Sequence, residues 1–80
     1  MDDPKGLSGA TLQVLMIIQQ APADRDGWHE ISHTKMIEQS HRHRTSVYRA
    51  LHTLTERGYI VRDVSVRGWH APHRYHIREK

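Results

Sequence analysis

Apolar residues recur at helical spacing through the first two thirds of this chain and then switch to alternation. Leu7, Thr11, Val14, Leu15 and Ile18 fall on one face of a helix that Ser8 can cap and that runs to about Gln20. Leu12, Met16 and Ile17 widen that face, so this helix is expected to pack on two sides or to serve a homodimer contact. Pro22 and the polar run from Ala23 to Gly27 break the period and form a loop. Ser32 is the next N-cap, for a helix over about His33 to Gln39 that buries Met36 and Ile37, with Ile31 before the cap as a hydrophobic staple against Met36. After the turn Ser40 to His43, Val47, Leu51 and Leu54 make the apolar stripe of a third helix, from about Arg44 to Arg57. His43 or Thr45 would cap it, and Gly58 ends it. Ile60, Arg62, Val64 and Val66, then Tyr75 and Ile77, alternate as two strands joined through Arg67 to Pro72, and a short strand near Trp28 to Ile31 would be the third member of the sheet. The core expected from this pattern is Leu15, Ile18, Met36, Val47, Leu51, Leu54, Val64 and Ile77.

Eighty residues make one domain with a small core, here a tail over 1–6 followed by a single unit over 7–80. No cysteine is present, which removes disulfides, thiolate zinc sites and a thiol nucleophile. No run of about 18 apolar residues occurs, and the acidic start MDDPKG lacks the layout of a signal peptide, so a cytoplasmic setting is expected. The net charge of +3 is modest, but it is unevenly placed. Residues 1–40 hold three Lys and Arg against six carboxylates, net −3; residues 41–80 hold nine against three, net +6. Eight of those nine are Arg, whose planar fork matches phosphate oxygens and guanine edges in pairs. One polyanion-facing surface follows from that distribution.

The third helix concentrates this chemistry. Arg44, Thr45, Ser46, Tyr48, Arg49 and His52 stand around its apolar stripe, all of them side chains that hydrogen-bond bases or phosphates, and Arg42 and His43 lie just before it. From Ile31 to Ile60 the chain resembles the winged helix-turn-helix regulators of the MarR and PadR groups. The resemblance rests on Arg44-Thr45-Ser46-Val47-Tyr48-Arg49-Ala50-Leu51 and on Leu54, Glu56-Arg57 and Gly58-Tyr59-Ile60. It implies an α+β fold, a winged helix-turn-helix of three helices with a C-terminal β-hairpin wing; the chain is expected to depart from those groups in being minimal, with no C-terminal dimerisation helix and no ligand-binding segment. It also implies a small transcriptional regulator that binds double-stranded DNA sequence-specifically, with the helix over about 44–57 in the major groove. The wing over 67–74 would touch flanking DNA through Arg67, Trp69, His70 and Arg74, although Trp69 fits a position folded back over its own sheet better than one stacked on a base. Ser40 and Arg42 depart from the pattern: they stand where those groups place apolar residues, which makes the turn between the two helices wetter.

The eight histidines suggest zinc at His41-Arg42-His43, at His70, His73 and His76, and at the pair His29 and His33, but no cysteine joins them, and His73 and His76 point to opposite faces of a strand. Hydrogen bonding to DNA and added positive charge below about pH 6.5 fit them better than a metal. No metal, cofactor or small-molecule ligand is therefore expected. Catalysis is not expected either, since the carboxylates are scattered and no glycine-rich phosphate loop follows a strand. Two alternatives keep the fold and change the partner: a protein-interaction winged helix, or a binder of RNA or an unusual duplex.

Overall fold

The computed structural model describes residues 7–63, 65 and 71–78, which form three helices and a three-stranded antiparallel sheet. Helix α1 spans Gly9–Gln20, α2 His33–Ser40 and α3 Arg44–Glu56; strand β1 spans Trp28–Ile31, β2 Ile60–Arg62 and β3 His73–Ile77. The α+β winged-helix arrangement expected from the sequence is the one observed.

Each helix begins on the cap its sequence provides. The Ser8 hydroxyl accepts from the Thr11 amide at 3.2 Å, and the Ser32 hydroxyl accepts from the Lys35 amide at 3.1 Å. For α3 the cap is His43, whose Nδ1 accepts from the Thr45 amide at 3.3 Å. Removing such a cap typically costs about 1 kcal/mol. The helix α2 closes on His41, a non-glycine residue held in the left-handed region at φ +57°. That conformation turns the chain sharply enough for α3 to start three residues later.

At the other end of α3, Gly58 sits at φ +77°, the Gly58 amide donates to the Thr55 carbonyl at 3.1 Å and the Tyr59 amide donates to the Leu54 carbonyl at 2.9 Å. This pair of bonds is a Schellman closure, which satisfies the last carbonyls of the helix and aims the chain into β2. Replacing Gly58 with Ala forces a Cβ into the left-handed region and is expected to cost about 1–2 kcal/mol, read as a lower urea midpoint at unchanged slope.

In the sheet the order is β1-β3-β2, so β3 is central. Ile31 faces His73 across one side, and Ile60 faces Ile77 across the other. The loop before β1 is organised by Asp24, whose Oδ1 accepts from the Asp26 and Trp28 amides, both at 2.9 Å. Gly27 follows at φ +84°, and a Cβ there would meet the His76 ring nitrogen at 3.3 Å.

The helices α1 and α3 pack against each other and close the core over β3. Leu15, Ile18, Met36, Val47, Leu51 and Leu54 are buried as expected. Ile77 is not fully inside; it is half-buried against the cluster near the end of β3. Val64 lies outside the described residues. Tyr75 takes the central place, fully buried, together with Val14 and Ile60. The wide apolar face read into α1 is narrower in the fold, because Met16 is 49% exposed while Ile17 is buried. Among the described residues no helix is long and apolar enough to cross a membrane.

Candidate nucleic-acid interface

Helix α3 has two unlike sides. Val47, Ala50, Leu51 and Leu54 are buried in the core, while Thr45, Tyr48, Arg49 and His52 are exposed at i, i+3, i+4 and i+7. Four side chains able to bond bases or phosphates thus share one outward stripe. Burial of the opposite stripe fixes the helix rotation, so the sequence alone decides which residues look outward. The stripe ends on an exposed contact between His52 Nε2 and Glu56 Oε2 at 2.9 Å, which is an ion pair when the imidazole is protonated.

Before that stripe, His41, Arg42, His43 and Arg44 are all exposed, and Ser46, next to Thr45, is half-buried. The turn therefore presents Arg42 and Arg44 at the positive end of the α3 dipole, where anions are favoured. Arg42 is not loose: its Nε donates to Gln13 Oε1 of α1 at 2.6 Å. Thr45 stays close to the cap, with its hydroxyl 3.2 Å from His43 Nδ1. The structure thus brings Arg42, His43, Arg44, Thr45, Ser46, Tyr48, Arg49 and His52 to the start and the outer side of α3.

The wing residues divide. Arg67, Trp69 and His70 lie outside the described residues. Arg74 is placed differently from a wing-tip cation. Its guanidinium pairs with Asp24 and lies 3.6 Å from Asp63, and it covers the Trp28 ring at 5.4 Å. These contacts fasten the base of β3 to the loop before β1. The Trp28 amide, and then Arg74, hold the Asp24 carboxyl below its usual range; the Ser65 hydroxyl and amide do the same for Asp63. At this part-exposed position two carboxylates offset the charge of Arg74, and neither is its neighbour in sequence. Replacing Asp24 with Asn is expected to loosen this fastening, visible as faster amide exchange at Trp28 with little change at Leu54.

Two histidines are buried rather than displayed. The His33 and His73 rings stack at 4.1 Å and 4° between planes, and His33 Nε2 meets the Tyr75 hydroxyl at 3.0 Å. The ring of Tyr48 stands edge-on to His33 at 5.3 Å, so this polar cluster lies under α3 and against the sheet. Burial, then the neighbouring His73 and Arg62, push the His33 pKa down to about 4. Burial likewise pushes the Tyr75 phenol up. The His29 and His33 pair does not converge: His29 Nδ1 lies 2.9 Å from the Ala21 carbonyl, away from the stack. Among the described residues no three His, Asp or Glu gather around one point to hold a metal.

Two polar features beside this face are not apparent from the sequence, the Gln13 side chain against the α2–α3 turn and the His33–His73 stack. The signal for Gln13 was indirect, namely the unexplained polarity of Ser40 and Arg42. For the stack, the alternation in β3 does place His73 on the same face as Tyr75.

With this geometry in place, comparison with known families adds one finding. Residues 11–64 match the IclR helix-turn-helix domain, from the early part of α1 to just past β2. No curated protein and no solved structure matches the chain. The match supports a winged helix-turn-helix regulator and does not single out the MarR or PadR groups.

Proposed function

Because the chain belongs to the IclR helix-turn-helix domain family, a DNA-binding domain of transcriptional regulators, we propose that it docks on double-stranded DNA with α3 in the major groove. In this reading Thr45, Tyr48, Arg49 and His52 face the base edges and the phosphates that flank them. Arg42, His43, Arg44 and Ser46 sit against the backbone at the helix start, and the segment 67–74 lies beside the flanking duplex. The observation that carries it is the exposed stripe of α3, set opposite a fully buried one and preceded by two arginines.

Arg49 stands at the centre of the stripe and is the side chain best suited to a bidentate guanine contact. Arg49→Ala is expected to lower affinity for the selected site by about 1–3 kcal/mol with no loss of thermal stability, since Arg49 is exposed. Unchanged affinity in a polarisation titration contradicts this docking. A regulator of this kind belongs in the cytoplasm with the DNA. Homodimerisation through α1 is part of the same proposal, resting on exposed Met16. A palindromic sequence recovered from a random duplex pool supports it, and an asymmetric one speaks against it.

A further inference from the structure

The turn between α2 and α3 carries polar residues where its helix-turn-helix pattern calls for apolar ones, and the structure supplies their partner. Ser40 is buried; its hydroxyl donates to the Ile37 carbonyl at 3.3 Å and accepts from the Arg42 amide at 3.3 Å. Its carbonyl accepts from Gln13 Nε2 at 3.2 Å, and the other end of the same amide, Oε1, accepts from Arg42 Nε at 2.6 Å. Gln13 thus uses both ends of its side chain. One end is anchored on the turn backbone, and the other grips the guanidinium. The bond goes to Nε, at the root of the fork, and does not use the two terminal nitrogens of this exposed side chain, which stands two residues ahead of the first residue of α3.

We propose that Gln13 is a positioning residue that holds Arg42 as a preset phosphate clamp beside the start of the recognition helix. The proposal rests on the DNA-binding reading above. An unheld arginine loses rotamer freedom when a phosphate captures it; one already held by Gln13 has lost part of that freedom in the free protein. The remaining fork offers two parallel N–H donors, the geometry that a phosphate accepts. Phosphate contacts set register without reading sequence, so the clamp contributes equally on any duplex and fixes where the Thr45–His52 stripe lands. In this way α1, which carries no cation in its own sequence, contributes to binding through a side chain that never touches DNA.

The test is a polarisation titration of the full chain against a labelled random 20-base-pair duplex, with Gln13→Ala, Arg42→Ala, the double variant and Arg42→Lys, each first checked by thermal melting. Arg42→Ala is expected to weaken binding about tenfold and to flatten the log affinity against log salt slope by about 0.9. Gln13→Ala is expected to weaken it about threefold or more, but to add nothing once Arg42 is already Ala. An equal Gln13→Ala effect in both backgrounds, or none in either, overturns the clamp and leaves Gln13 as a brace for the turn. Arg42→Lys keeps the charge and lacks the fork, so weaker binding at an unchanged salt slope supports the proposal, and wild-type affinity overturns it even if Gln13→Ala does not fold. If the unaltered chain binds no duplex, the DNA-binding reading falls first and the clamp with it.

Discussion

Raising salt from about 50 to about 200 mM is expected to weaken binding to a random duplex by about 10³-fold or more, if about six phosphates or more are neutralised. The reason is counterion release. Duplex DNA carries a condensed cation atmosphere, and each Arg that replaces a counterion makes binding more sensitive to bulk salt. Arg42 and Arg44 at the start of α3 and Arg49 further along it are all exposed, in the half of the chain with net +6. The first half, by contrast, is net acidic, so the positive charge is concentrated in the part of the chain that holds α3. A protein-interaction winged helix behaves differently, with weak binding to every duplex and little response to salt. Titration at several salt concentrations measures the slope directly, and a flat slope removes DNA as the partner.

Acid should unfold the protein through a histidine that takes no part in that surface. His33 is buried, bonded to Tyr75 and stacked on His73, and its pKa falls to about 4 in the fold against 6.5 when exposed. Between those values the unfolded chain takes up a proton that the native chain refuses, so native stability declines as pH drops from 6.5 and stops declining near 4. The full span amounts to about 3 kcal/mol, a large share of what an 80-residue domain without disulfides has in hand. Asp24 and Asp63, whose pKa values are lowered, act in a separate window: their contribution is present above pH 3.8 and is lost below it. Urea titrations at pH 7.5, 5.5 and 4.5 check the assignment. His33→Gln, which keeps a polar group toward Tyr75 and cannot titrate, should be less stable at neutral pH and lack the decline between 6.5 and 4; an undiminished decline would assign it to other groups.

The elements most legible in the sequence were those whose evidence is local. Ser8, Ser32 and Gly58 sit within a turn of the structure they start or stop, and the Val47, Leu51 and Leu54 period needs only α3 itself. Periodicity also fixed which side of α3 faces outward, which is most of the candidate site. Pairings across the chain were not legible. Arg74 finds Asp24 fifty residues away, and Arg42 finds Gln13 twenty-nine away; no spacing rule encodes either. Tyr75 was placed in a strand but not at the centre of the core, because a phenol can be fully buried only when a partner takes its hydroxyl. That partner, His33, is named by the fold rather than by the pattern. Ser40 and Arg42 read in the sequence only as a wetter turn; that α1 supplies their partner in Gln13 emerges from the fold.

The central claim is that α3 reads DNA from the major groove, and methylation interference tests it most directly. Dimethyl sulfate marks guanine N7 in the major groove and adenine N3 in the minor groove, and each mark blocks whatever needs that edge. On a site selected from a random pool, binding should be blocked by guanine N7 methylation within the selected core, and Arg49→Ala should lose that block at one guanine. Interference confined to adenine N3, or none at either position, would place the exposed stripe of α3 outside the major groove and contradict the account.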